Sequence, residues 1–179
     1  LCVADYLHDS RLGMGAEGIS YTDIDFDMVA AAADICDATV STPGGSEKRF
    51  TCNGALSTEE TYADNIKQLL SSMGGSLTWS GGKFRIRALA YEAPTFSFTG
   101  DDIIGDVEIQ PETNRSQRFN LIRGTFIDPE SDYVATEFIP VENTSYKNTR
   151  DGGQSRNKQI KLPVTNSEYM AQRIAFKHL

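Results

Sequence analysis

Residues 57–90 have the sequence STEETYADNIKQLLSSMGGSLTWSGGKFRIRALA, and this stretch decides the fold class. Apolar residues recur at helical spacing between Tyr62 and Met73, which predicts an amphipathic helix that ends at a Gly-Gly pair. The apolar residues then alternate on both sides of a second Gly-Gly pair, which predicts a β-hairpin over residues 76–88. A helix followed by a hairpin indicates an α+β fold.

The start of the helix and the apolar face of the hairpin carry two further expectations. Ser57 with Glu60 fits a capping box, and Thr58 is a nearly equal candidate for the N-cap. Trp79 shares the apolar face of the hairpin, so we expect it in the core, where it would not serve as a platform for sugar stacking.

The other face of the hairpin is basic in a chain whose net charge is −8. Lys83, Arg85 and Arg87 alternate along the second strand and therefore point to the same side. A solvated face is the ordinary interpretation of such a pattern. If this segment has a further role, these three residues form a possible subunit-contact surface.

The region before the helix contains four predicted elements. A short helix begins at residues 4–7, and a second helix follows with Asp23 or Asp25 as its N-cap. Residues 42–45 form a turn cluster, and the alternating residues 48–54 predict a strand. We expect Cys2 to face the core of the first helix.

The character of the sequence changes near residues 91–94, which predicts a domain boundary. Residues 1–92 would form an α+β domain that contains the hairpin. Residues 93–179 would form a mostly antiparallel, incomplete barrel-like β domain that ends in a helix. Its expected strands are residues 107–113, 118–126, 133–140 and 159–162, and residues 165–168 would cap the last helix, with Tyr169, Ile174 and Phe176 towards the core.

The residues that most often carry chemistry are sparse in this chain. The two histidines, His8 and His178, lie at opposite ends, and the three cysteines have no metal-ligand spacing, so we expect no enzyme, no metal and no cofactor. The acidic balance disfavours specific nucleic-acid binding, and no apolar run is long enough to predict a membrane span. The paired acids at residues 59–60 and 101–102 fall at expected helix starts.

Several blocks of the sequence together resemble a known family. The blocks are residues 4–15 (ADYLHDSRLGMG), 50–54 (FTCNG), 69–75 (LLSSMGG), 79–88 (WSGGKFRIRA) and 119–129 (FNLIRGTFIDP). With these blocks in this order, the chain resembles the phage tail-tip or baseplate hub proteins, which are the central tail proteins of siphophages and include the lambdoid host-specificity protein J.

The resemblance implies a structural role in a phage or prophage virion. Such a hub is made in the bacterial host cytoplasm and forms a homotrimeric ring at the tail tip. It joins the tail tube and the distal tail protein to the receptor-binding fibre, and it takes part in host attachment. The chain begins without Met and ends inside a predicted helix, so we expect a fragment of a larger protein whose remaining barrel strands lie elsewhere.

Two other functions remain as alternatives. A carbohydrate-binding module for host-surface glycans would use Trp79 and surface tyrosines, because flat aromatic rings stack on sugars. A glycan hydrolase would use a pair of acids such as Asp101 and Asp102.

Overall fold

The described residues combine helices with three separate sheets, and the predicted α+β class is confirmed. The computed structural model describes residues 1–109, 114 and 117–179. In chain order the described helices and strands are α1 Cys2–His8, α2 Phe26–Asp37, β1 Thr39–Thr42, β2 Gly45–Lys48, α3 Tyr62–Ser71, β3 Ser76–Ser80, β4 Lys83–Arg87, β5 Leu121–Asp128, β6 Val134–Glu137, β7 Val141–Glu142, α4 Thr144–Arg150, β8 Asn157–Leu162 and α5 Glu168–His178.

The central helix α3 begins later than predicted. Its N-cap is Thr61, whose hydroxyl oxygen accepts the Asp64 N–H at 3.2 Å and whose O–H lies 2.7 Å from the Asp64 carboxylate. The predicted caps at Ser57 and Thr58 are wrong, because Ser57 Oγ accepts the Glu59 N–H in a local turn instead. The Thr-x-x-Asp pattern lies nearer to the first buried turn of the helix and caps it there.

The β3–β4 hairpin is confirmed, with Ser76 opposite Arg87 and Ser80 opposite Lys83. Both turn glycines have positive φ angles, 62° at Gly81 and 75° at Gly82, as a two-residue hairpin turn requires. The prediction that Trp79 lies in the core is wrong.

Trp79 is 57% exposed and contacts the edge of Phe84, with the ring centroids 4.6 Å apart. This pair lies beside the turn, whereas the buried residue of the hairpin is Ile86, farther from the turn. A period of two gives the face of a strand but not the extent to which other elements cover it.

The second helix starts where the sequence placed it, and Asp25 is its N-cap. The strand predicted over residues 48–54 is wrong, because β1 and β2 form a hairpin that ends at Lys48. The backbone beyond Lys48 forms isolated hydrogen bonds in place of a strand ladder. For example, the Asn53 N–H donates to the carbonyl of Val164 at 2.8 Å. Cys2 is exposed, so the expectation that it faces the core is also wrong.

The largest sheet is built around β5, and its topology is mixed. Strands β6 and β7 pair antiparallel with β5, as predicted, whereas β8 pairs parallel with β5 from Leu121↔Asn157 to Phe126↔Leu162. A parallel pair needs a crossover connection, and α4, which no pattern in the sequence predicted, lies in it. The described residues form no closed barrel, so the barrel-like expectation stays a prediction.

The predicted strand limits in this half are only partly right. Residues 107–109 form no strand, and residues 110–113 lie outside the described residues. The strand expected over 118–126 is β5, shifted towards its carboxyl end, and the one expected over 133–140 is the shorter β6, followed by β7.

The last helix, α5, covers the sheet with four of its side chains. Ser167 caps it by accepting the Met170 N–H at 3.2 Å. Ile174 is buried as predicted, but Phe176 is 66% exposed, which corrects its expected core position. The buried stripe of α5 is Met170, Ala171, Ile174 and Ala175.

Buried residues from both predicted domains belong to one hydrophobic cluster, which includes Ile66, Ile86, Ile122 and Ile174. Polar contacts also link the halves: Arg173 Nη2 lies 2.7 Å from Glu47 Oε1 and donates to the carbonyl of Arg49 at 2.9 Å. The division into residues 1–92 and 93–179 stays a prediction.

Candidate subunit-interaction surface

The basic face of the hairpin is partly neutralised by neighbouring acids. Arg85 Nε lies 3.2 Å from Asp25 Oδ2, at ion-pair distance but without hydrogen-bond geometry. Asp25 also accepts the Met28 N–H at 3.3 Å through its other oxygen, and its own N–H donates to the carbonyl of Phe84 at 2.9 Å. Arg85 therefore helps to fasten the hairpin to the start of α2.

Lys83 and Arg87 are less engaged with acids than Arg85 is, and so are more available to a partner. β4 places Lys83, Arg85 and Arg87 on one face of the hairpin, as predicted. Arg87 Nη1 lies 3.5 Å from Glu92 Oε2, and both side chains are about half exposed, so water screens this pair. Within the described part of the chain, no acid is at ion-pair distance from Lys83. Their role in subunit contact stays a prediction.

Replacing Asp25 with alanine is expected to lower the free energy of unfolding by about 1–2 kcal/mol, because the cap of α2 and the contact with Arg85 are lost together. The matched control is Arg87→Gln, whose exposed ion pair is worth less than about 0.5 kcal/mol. Urea denaturation of both variants measures the difference. Equal losses would show that Asp25 does not fasten the hairpin to α2.

A second candidate surface is the segment of residues 91–109, here called the arm. Every residue of the arm is exposed, and apart from the 3₁₀ turn Gly100–Asp102 it contains no helix or strand. The change in sequence near residue 94 signalled a boundary but not this exposure. Its large exposed apolar side chains are Tyr91, Phe96, Phe98, Ile103, Ile104, Val107 and Ile109.

The arm is acidic as well as apolar. It contains no Lys or Arg, and its five acids are Glu92, Asp101, Asp102, Asp106 and Glu108. An exposed apolar stretch of this length is typical of a surface that packs against other protein.

A family model described as "Putative phage tail protein" matches residues 61–179, which is more than half of the chain. The chain belongs to this family of phage tail proteins. The match includes α3, the β3–β4 hairpin, the arm and the β5 sheet. The resembling blocks at residues 4–15 and 50–54 precede the matched range.

One acid of each predicted pair in this phage tail protein accepts hydrogen bonds from nearby residues. Thr99 donates backbone and side-chain hydrogen bonds to the Asp102 carboxylate at 2.8 and 2.9 Å, and these bonds lower the pKa of Asp102. Glu60 accepts a hydrogen bond from the Gln68 amide. A general acid in a glycan hydrolase needs a raised pKa, so the shift at Asp102 is in the opposite direction.

The three cysteines line one apolar pocket of about 250 Å³ between α1, α2 and α3 in the phage tail protein. All three are free thiols, and burial raises the pKa of Cys36 and Cys52. The raised pKa values keep the Cys36 and Cys52 thiols protonated and slow to react.

Among the described residues, no group of three or more His, Cys, Asp or Glu side chains could hold a metal ion. None of the described helices is long and apolar enough to cross a membrane.

Proposed function

We propose that this phage tail protein is a structural component of the tail tip or baseplate hub. In this role it joins the tail tube and the distal tail protein to the receptor-binding fibre, takes part in host attachment and assembles as a homotrimer in the full-length protein. It is made in the host cytoplasm and ends up in the virion.

The exposed arm is the observation that carries this proposal. Seven large apolar side chains lie in solvent within residues 91–109, and Ile104 is 100% exposed. Apolar side chains exposed at this density cost free energy unless a partner covers them, because each one could be buried at a gain of about 1.5–3 kcal/mol. The family match supports this, because a tail component is assembled against other tail proteins.

Immunogold electron microscopy of intact particles, with antibodies against residues 1–179, tests the position in the tail. The expected label lies at the end of the tail far from the capsid, and quantitative mass spectrometry of purified tails should give about three copies for each tail tip. Label along the whole tube, or absence of the chain from purified tails, would overturn the proposal. An abundant tube protein from the same tails serves as the internal control.

One observation favours carbohydrate binding as a second candidate function. Trp79 is exposed, and its ring contacts Phe84 edge to face, which leaves an aromatic surface that could stack on the flat face of a sugar. A glycan array would separate this carbohydrate-binding role from a purely structural one. Binding that disappears in a folded Trp79→Ala variant would support it, whereas no binding by the wild-type chain would rule it out.

A further inference from the structure

The arm has the pattern of a strand that lacks a partner. Phe96 and Phe98 alternate with polar residues, and their rings contact each other edge to face with centroids 4.9 Å apart. Two aromatic side chains therefore lie on the same side of an extended segment. Such alternation is typical of a strand that covers an apolar surface with one face and meets water with the other.

The same chain also offers an edge of β8 with which no other described strand pairs. β8 hydrogen bonds to β5 along one edge, and none of the residues 1–109, 114 and 117–179 pairs with its other edge. Its sequence, NKQIKL, contains two lysines and no acid. Unpaired N–H and C=O groups along an exposed edge are a ready template for an additional strand.

The charges of the arm and of this edge are complementary. The arm carries five acids and no basic residue, whereas β8 carries Lys158 and Lys161. Lys161 is exposed and has no acid at ion-pair distance in the described part of the chain. Lys158 lies over the ring of Phe119, with its Nζ 4.6 Å from the ring centroid. Residues 95–99 carry no charge themselves, so the attraction to β8 comes from flanking acids such as Asp101, whereas basic flanking residues would be repelled.

We infer that residues 95–99 of the arm add as a strand to the free edge of β8 in a second copy of this chain. In this arrangement Phe96 and Phe98 lie beside the half-buried Ile160, and Asp101 approaches the lysines of β8. Main-chain hydrogen bonds supply affinity, and the aromatic and charged side chains supply the register. Each copy gives an arm and receives one, so every contact is satisfied if two copies exchange arms or if successive copies close into a ring.

The exposure of the arm points to a second copy instead of its own chain. An arm packed on its own β8 would bury its aromatic side chains, but Phe96 is 66% and Phe98 82% exposed. The inference rests on the proposed tail role only for its setting, because the complementary surfaces belong to this chain itself.

A charge swap followed by sedimentation velocity tests the contact. The double variant Lys158→Glu/Lys161→Glu should weaken self-association at least about tenfold, as should Asp101→Lys/Asp106→Lys, because each places like charges together. The quadruple variant restores opposite charges and should return within about threefold of the wild-type dissociation constant. Phe98→Ser should weaken association without any change of charge.

The matched control is Lys48→Glu/Lys67→Glu, which makes the same change of net charge on α3 and on β2, a strand of a separate sheet. It should leave association unchanged. A wild-type chain that stays monomeric at all concentrations, or a quadruple variant that is no better than the two doubles, would overturn the inference. The immunogold label at the tail tip would be unaffected by that result, so the proposed function could stand while the inference fails.

Isotope mixing separates an arm bound to its own chain from one bound to another copy. Heavy and light chains are mixed and treated with a carbodiimide, which joins a carboxylate directly to an amine. Cross-links between Asp101 and Lys158 or Lys161 should join heavy to light peptides as often as like to like. Cross-links found only within one isotope would show that the arm binds its own chain, and the inference would be wrong.

Discussion

The Gly124→Ala variant is expected to lose about 3 kcal/mol of unfolding free energy or more, because the added methyl group has no space between β5 and β8. A Cβ atom at Gly124 would overlap the carbonyl oxygen of Ile160, and it would lie 2.8 Å from Ile160 Cγ1 and 2.9 Å from Phe138 Cε1. The overlapping oxygen belongs to the backbone of β8, so relief requires the strand itself to move. Denaturant unfolding measures the loss, and faster amide hydrogen exchange in β8 would locate it.

Gly100→Ala is the matched control, because no heavy atom lies within 4 Å of a Cβ added there. Its unfolding free energy should stay within about 0.5 kcal/mol of the wild-type value. If the two alanine variants lose the same amount, the close approach at Gly124 does not limit the packing of β5 against β8.

The elements predicted correctly are those whose signals are local. The β3–β4 turn depends on Gly81 and Gly82, whose positive φ angles are available to glycine at little cost. The caps at Asp25 and Ser167 depend on a side chain that reaches an N–H three residues ahead. Such interactions involve only a few adjacent residues, so a single sequence can reveal them.

The elements that were missed depend on distant partners. The helix α4 has the polar sequence TSYKNTR, which lacks an apolar period, and its cap at Asn143 follows directly after β7. The parallel pairing of β8 with β5 brings together residues that are 36 positions apart, such as Leu121 and Asn157. No local pattern distinguishes that pairing from an antiparallel one.

The candidate surfaces show the same limit. Alternation placed Lys83, Arg85 and Arg87 on one face, but only the fold shows that Asp25 reaches Arg85 from the start of α2. Trp79 and Phe176 are likewise exposed because the elements packed nearby do not extend far enough to cover them. A sequence gives the direction of a side chain within its element, whereas burial is decided by the elements packed against it.

The second large effect is expected at Asn120, which is fully buried at the start of β5. Its amide nitrogen donates to Asp151 Oδ2 at 2.8 Å and to the carbonyl of Gln154 at 2.9 Å, and its amide oxygen accepts the Arg156 N–H at 2.9 Å. Asp151 also accepts from Arg156 Nε at 3.0 Å. Asn120 thus joins the loop between α4 and β8 to the central strand.

Asn120→Asp keeps the shape of the side chain but replaces its hydrogen-bond donor, the amide nitrogen, with an acceptor oxygen. The new carboxylate oxygen would face Asp151 Oδ2 and the Gln154 carbonyl, where the amide previously donated two hydrogen bonds. Losing both donors and placing a second negative charge beside a carboxyl that is 6% exposed should cost about 3–5 kcal/mol near neutral pH. Thermal or urea denaturation measures this cost.

The cost should depend on pH in a definite direction. Burial and the charge of Asp151 raise the pKa of the introduced carboxyl in the folded state above its value of about 4 in the unfolded chain. Between these two pKa values the unfolded state binds fewer protons than the folded state. The variant therefore loses stability relative to wild type as the pH rises through this window. The deficit should therefore be smaller at about pH 4.5 than at about pH 7.5.

Asn148→Asp supplies the matched control, because Asn148 is exposed on α4. The same chemical change in solvent should cost less than about 0.5 kcal/mol and show little dependence on pH. A pH-independent deficit in Asn120→Asp would mean that lost hydrogen bonds alone account for the effect, and that the repulsion from Asp151 is negligible. A deficit that grows with pH would instead show that the folded state resists a second negative charge buried at Asn120, beside the carboxyl of Asp151.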